Sequence, residues 1–263
     1  MDFPLIGLGT WPLKGSECRD VVTEALSMGY RHIDTAQLYE NEAEVGAGIA
    51  ASGVARDRIF LTTKVVQDHF VDGTALESAK RSMDKLGGPA DLVLVHWPPK
   101  GVATEAVIDA LEEIRAAGLT THIGVSNFNV PMLTAAAGRA TILTNQVEFH
   151  ALIDQARLKA SADALGVRLT AYMPIARGRV FDLAPVVAAA ERLGKTPAQI
   201  ALRWIVQQGV TAIPMSTKTA NLQANLAVTA FALSEAEMAA ITACTRDHQR
   251  FCTPFDWAPD WDA

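Results

Sequence analysis

Hydrophobic and polar positions follow two periods along the chain, and the two take turns. From Gly7 onward a short apolar run rich in strand-forming residues leads into a loop, then an amphipathic stretch, a glycine and the next apolar run. In the first amphipathic stretch Cys18, Val21, Val22, Ala25 and Leu26 share one face at the spacing of a helix, and Gly29 supplies its stop. Gly53, Gly87, Gly118, Gly166 and Gly209 close later helical stretches in the same way, as left-handed residues just past the last turn. The apolar runs fall at 6–9, 32–34, 59–65, 91–97, 122–125, 145–149, 168–173 and 211–214.

Eight strands separated by helices, at about the ~30-residue spacing of a βαβ unit, predict an α/β protein of the (β/α)8 TIM-barrel class. One domain over 1–263 is expected, with no low-complexity linker or composition shift to divide it. Two helices are extra to the eight units. One covers 183–193, before a helix opened by the capping box Thr196-Pro197-Ala198-Gln199; the other follows Ser234-Glu235-Ala236-Glu237. The tail, 246–263, carries Phe251, Phe255, Trp257 and Trp261 without helical period, and is expected over the active face, walling a pocket or sealing a barrel edge. A doubly wound sheet is the rival fold. Its dinucleotide fingerprint is absent, because Gly7-Leu8-Gly9-Thr10-Trp11-Pro12 lacks the third glycine of GxGxxG and carries a proline.

Polar residues interrupt this pattern where the apolar runs end. The second run ends in Asp34, with Tyr39 five positions later on the connecting loop. The third holds Lys64 near its end, and the fourth runs into His96, Trp97 and Pro98. Parallel α/β proteins keep their chemistry at such strand ends, so these four titratable side chains are expected to form one cluster. A phenol of pKa ~10 is a poor acid at neutral pH; a nearby ammonium lowers that pKa, and a carboxylate holds the ammonium in place. Tyr39, Lys64 and Asp34 suit that arrangement, and His96 is suited to orient a substrate oxygen or assist proton transfer. Each alone has a structural alternative, a strand-end ion pair or a satisfied core histidine; their coincidence carries the weight. No serine or cysteine is evidently activated, and no HxxxH pair offers metal ligands. Later strand ends add Ser126, Asn127, Gln146 and Tyr172. Carboxamides pair with an amide and a tyrosine face stacks on a flat ring, which together describe a nicotinamide pocket.

Composition narrows the partners. In 263 residues, 49% hydrophobic, the formal charge is -6, which argues against a nucleic-acid or anionic-membrane surface. No apolar run approaches the ~18 residues of a membrane span, and the first residues lack a basic leader, so a soluble cytoplasmic protein is expected. Cys18, Cys244 and Cys252 form no CxxC pair and read as reduced thiols.

From Gly7 nearly to its end the chain resembles the aldo-keto reductase superfamily, and within it the bacterial diketogluconate reductase-like branch. The resemblance is carried, in order, by Gly7-Leu8-Gly9-Thr10-Trp11, by Asp34-Thr35-Ala36 with Tyr39 and Asn41-Glu42, by Thr63-Lys64 and by His96-Trp97-Pro98. It continues through Gly124-Val125-Ser126-Asn127-Phe128, Asn145-Gln146-Val147-Glu148 with His150, and Pro174 with Arg177-Gly178. Each motif alone is weak, and their order is specific. The resemblance implies a barrel that binds NADPH or NADH in extended form and reduces aldehydes or ketones, such as small aldehydes, α-dicarbonyls and keto sugars. It assigns Tyr39 as general acid, Lys64 and Asp34 as the groups that tune it, and His96 as the group that places the carbonyl. The coenzyme would be held by Thr10, Trp11, Asp34, Ser126, Asn127, Gln146, Tyr172, Ile175, Arg177, Ser216, Thr217, Lys218 and Asn225. Trp11, Trp97, Phe128 and Trp257 would wall the substrate pocket. No metal is implied, and a monomer is expected.

Three departures matter. Relatives that prefer NADPH commonly carry lysine at Met215, arginine at Asn221 and glutamate at Ala224; the first two usually meet the 2′-phosphate. NADPH is kept ahead, with NADH use open and Lys218 as a partial substitute. Val66 stands where the family often has tryptophan, which widens or flattens that wall. The chain starts almost at the first strand, so most of the hairpin that closes the barrel floor in many relatives is expected to be missing. Two other readings compete with the reductase. A nicotinamide-binding regulatory barrel finds no support in the sequence, and a metal hydrolase built on His96 and His150 would need ligands where amides and hydroxyls stand.

Overall fold

The computed structural model describes residues 3–254 and 258–261. Among them, eight parallel strands lie in sequence order: β1 (Leu8–Gly9), β2 (His32–Asp34), β3 (Phe60–Val65), β4 (Ala90–Val95), β5 (Thr120–Ser126), β6 (Ile142–Glu148), β7 (Arg168–Tyr172) and β8 (Thr211–Ala212). A parallel bridge between Ile6 and Ala212 brings the first and last strands together and closes the barrel. Helices cover the outer face, which is why the strands read as continuous apolar runs: Leu92, Val93, Leu94 and Val95 are all 0% exposed.

The glycines of the first run serve this closure. A Cβ on Gly7 would stand 2.5 Å from His32 Nδ1, and one on Gly9 would stand 2.7 Å from the Ile213 carbonyl oxygen. Only glycine lets β1 lie this close to its neighbours.

The first helix, Gly15–Met28, buries the five residues its spacing predicts and ends at Gly29, whose φ of 112° is left-handed. Both expected extra helices are present, Ala184–Leu193 and Glu235–Ala243, and both capping boxes form, at Thr196 with Gln199 and at Ser234 with Glu237. Two details differ from the sequence reading. β8 ends at Ala212 where the apolar run continues to 214, since Pro214 has no N–H for a ladder. A short helix at Asp68–Val71 adds to the expected elements, because four residues are too few to show a period. Among the described residues no helix is long and apolar enough to cross a membrane.

The main core lies between sheet and helices, and a second cluster of Phe3, Phe60, Leu92 and Leu94 fills the barrel interior. Phe3 plugs the floor, 4.8 Å from the Phe60 ring and 5.1 Å from the His32 ring, and its carbonyl accepts from Arg168 Nη1. His32 is fully buried with Nε2 on Thr62 Oγ1 and no partner for Nδ1 among the described residues. Burial, reinforced by the charge of Lys64, lowers its pKa from 6.5 to about 3. Between those values the unfolded chain takes a proton that the folded protein refuses. Stability is therefore full above the unfolded pKa of ~6.5 and falls as pH drops towards 3, by up to ~1.4 kcal/mol per pH unit. Urea midpoints at pH 7 and pH 5 should differ accordingly, and His32→Gln should shrink the difference. An unchanged difference would remove His32 as its source.

Candidate active site

The register of the sheet sets the cluster. Asp34 pairs with Thr62 and Val65 with Val95, so Asp34, Lys64 and His96 end three adjacent strands at the same rim. Tyr39 closes a 3-10 turn, Gln37–Tyr39, stopped by Glu40 in the left-handed region at φ 49°. Two amides hold this turn. Gln37 donates to the Ser78 and Ser82 hydroxyls and accepts from Val66 N. Asn41, fully buried, donates to the Thr10 and Leu13 carbonyls and accepts from Thr35 Oγ1.

Lys64 Nζ donates to Asp34 Oδ1 at 2.6 Å and to the Thr35 carbonyl at 2.9 Å, and lies 3.2 Å from the Tyr39 hydroxyl. The Lys64 and Asp34 side chains are each 1% exposed. The Tyr39 and His96 rings meet edge to face at 5.6 Å. The four residues expected together are together.

Their electrostatics correct one expectation. Burial pushes the Tyr39 phenol above its ordinary pKa, and the pull of Lys64 does not reverse it, so the phenol is protonated at neutral pH. The sequence carries the ammonium but not the depth of burial, which is the larger effect. For Lys64 burial acts downward, yet the charge of Asp34 and the hydrogen bonds to Asp34 and Tyr39 outweigh it and hold the ammonium above its ordinary value. Burial, with Lys64, puts His96 well below the usual histidine range, so its ring is neutral.

The residues read as a nicotinamide pocket line the next strand ends. Gln146 Nε2 donates to Asp34 Oδ2 at 2.6 Å, tying this group to the ion pair. Ser126 Oγ donates to the Gln146 carbonyl, Asn127 Nδ2 reaches the His96 carbonyl and Ser126 Oγ, and the Tyr172 hydroxyl donates to Asn127 Oδ1 at 2.8 Å. Thr10 is buried against the Asp34 carbonyl, and Ile175 is half-buried. Arg177 is exposed at a positive φ of 54°.

At the eighth strand end Ser216 accepts from Lys218 N, while Thr217 and Lys218 are exposed. Asn225 is only 6% exposed. An amide beside exposed hydroxyl and ammonium groups fits a coenzyme's adenosine end. Met215 and Asn221 are exposed.

Of the expected pocket walls, Trp11 is 54% exposed and Trp97 is buried at the rim. Phe128 differs, being 1% exposed within the main core, where its backbone is held by Asn145. Trp257 lies outside the described residues. Another tail aromatic, Trp261, packs edge to face on Trp97 at 6.4 Å, with the Arg250 guanidinium 3.8 Å from its ring centre. One pair escaped the sequence reading of roles: Glu148 and His150 are both fully buried and hydrogen-bonded to each other, and Glu148 also binds the tail backbone. The motif is visible in the sequence, but its partners are main-chain groups that no side chain marks.

Comparison with known proteins agrees with this geometry. The model of the Aldo/keto reductase family matches residues 5–246. The chain is 39% identical over 268 residues to the methylglyoxal reductase DkgB of Yersinia pestis, covering 100% of both. It is 37% identical to the glyoxal reductase of Bacillus subtilis (strain 168), over 95% of this chain and 91% of that one. A crystal structure provisionally named 2,5-diketo-D-gluconic acid reductase B superposes with a TM-score of 0.95 at 42% identity, over 99% of this chain and 94% of the other.

Proposed function

The chain belongs to the aldo/keto reductase family and is a nicotinamide-dependent oxidoreductase, and from that premise we propose that it reduces small aldehydes and α-dicarbonyls to alcohols, with Tyr39 as the general acid. The carrying observation is the ammonium of Lys64 set between the Asp34 carboxylate and the Tyr39 hydroxyl in a buried site. The relatives named for methylglyoxal and glyoxal support the substrate class.

When bound, the coenzyme supplies the hydride. Ser126, Asn127 and Gln146 present the carboxamide-binding groups, Tyr172 the stacking face, and Ser216, Thr217, Lys218 and Asn225 the groups for the other end. Neutral His96 can donate a hydrogen bond to the carbonyl oxygen without carrying charge into the pocket. Tyr39, protonated, gives its proton to that oxygen, and Lys64 stabilises the phenolate left behind while Asp34 and Gln146 keep the ammonium in place. The burial of Asp34, Lys64 and His96 around the half-buried Tyr39 limits the water that can compete for the proton.

A titration of the purified protein with NADPH and NADH, followed by coenzyme oxidation with methylglyoxal, tests this reading. Carbonyl-dependent oxidation supports it, and binding without turnover on a broad carbonyl panel would sink it. NADPH is the proposed coenzyme, with Lys218 the cation at its phosphate end. Met215→Lys with Asn221→Arg should tighten NADPH by tenfold or more, since each new charge-assisted contact is worth ~1.5–3 kcal/mol. NADH, which lacks the 2′-phosphate, should change little; equal shifts for both would show that these positions do not face that phosphate.

A further inference from the structure

Glu148 ends β6 directly opposite Tyr172, the last residue of β7. The ladder between these strands is backbone, so the Glu148 carboxylate is not needed to close the barrel. It is nevertheless fully buried, with hydrogen bonds from His150 Nε2 at 2.9 Å, Phe251 N at 2.7 Å and Cys252 N at 2.9 Å. Leu152 N donates to His150 Nδ1, which fixes the tautomer and leaves Nε2 as the donor to Glu148. These donors outweigh the upward push of burial and hold the carboxyl below its ordinary range.

Two of the three donors belong to a segment more than a hundred residues further along the chain. A buried charge is costly unless such bonds satisfy it, and bonds to an ionised acceptor are the strong ones. What this charge secures is therefore the tail. The same stretch is fastened by Gln249 N on the Leu152 carbonyl, and the Phe251 ring packs 5.3 Å from His150 with the Arg179 guanidinium 4.5 Å from its centre. Further on, Asn129 Nδ2 donates to the Asp260 carbonyl and Trp261 rests on Trp97.

We propose that Glu148, oriented by His150, is a positioning residue that latches Phe251 and Cys252 at the end of β6, sets how Trp261 meets Trp97 at the rim, and thereby sets affinity for the carbonyl substrate. The latch rests on the active-site reading given above. It acts through the tail, which touches the rim, and not on the reacting atoms.

The test is steady-state kinetics of the full chain with methylglyoxal and the coenzyme it uses, alongside coenzyme affinity by fluorescence titration. Glu148→Gln keeps the size but faces a backbone N–H with an amide N–H. KM should rise about tenfold while kcat and coenzyme Kd stay within about threefold, the signature of lost binding common to ground and transition states. KM within about twofold of the parent, or a joint decline in kcat and coenzyme affinity, would overturn the latch. Cys252→Pro provides a second route, because it deletes one tail donor and leaves Glu148 intact, and Cys252→Ala removes the thiol but keeps the N–H. A higher KM for the proline variant than for the alanine variant is expected, and equal values would overturn the proposal. Tyr39→Phe, run in parallel, tests the underlying reading by itself, since its loss falls in kcat.

Discussion

Replacing Tyr39 with phenylalanine should lower carbonyl reduction by about 10²- to 10⁴-fold, the usual contribution of a positioned general acid, and leave coenzyme affinity nearly unchanged. The phenyl ring of the variant would keep the edge-to-face contact with His96 and the ammonium of Lys64 4.8 Å from its centre. What is lost is one hydroxyl, 3.2 Å from Lys64 Nζ. Lys64 keeps Asp34 Oδ1 and the Thr35 carbonyl, so the buried ion pair survives and the fold should too. His96 does not replace the lost acid, because burial and the charge of Lys64 hold its ring neutral. Coenzyme binding by fluorescence and single-turnover rates separate the two effects. Near-parental rates in a variant that binds coenzyme normally would remove Tyr39 as the acid.

This expectation draws on features that differ in how far the sequence reveals them. The barrel is legible because a parallel sheet covered by helices imposes two hydrophobic periods, and the glycine stops and capping boxes punctuate them. Asp34, Lys64 and His96 are legible because the same pattern places a polar residue at each strand end. The direction of the Tyr39 shift is not, since it depends on how much water the folded walls exclude. Gln146 reads as a coenzyme ligand, yet its amide also braces Asp34, a contact across 112 positions. Phe128 is expected as a wall on the resemblance; the backbone turns just before it, with Asn127 at φ 63°, and the ring lies in the core. Glu148 and His150 are visible only as a motif, because backbone N–H groups of the tail carry no sequence signature.

Lys64→Met should cost both activity and stability, and the two losses can be pulled apart. The substitution leaves the Asp34 carboxylate 1% exposed with Gln146 as its only side-chain donor among the described residues. Removing one partner of a buried pair costs about 3–5 kcal/mol when the remaining charge must stay. Asp34 has an alternative. Burial already pushes its pKa up, and Lys64 is the largest influence pulling it down, so the variant should hold Asp34 protonated further towards neutral pH. A carboxyl whose folded pKa lies above its unfolded value of ~3.9 contributes stability that is full below that value and is lost as pH rises through the folded pKa. From pH 7 to pH 5 the variant should thus gain stability relative to the parent, while His32, buried in both, drives each the other way. Adding Asp34→Asn removes the orphaned charge and should restore most of the lost stability by urea denaturation at pH 7. Turnover should stay low in the double variant, because no ammonium remains to stabilise the Tyr39 phenolate. Recovery of turnover together with stability would mean that Lys64 serves the fold alone, and that Tyr39 gives up its proton without its help.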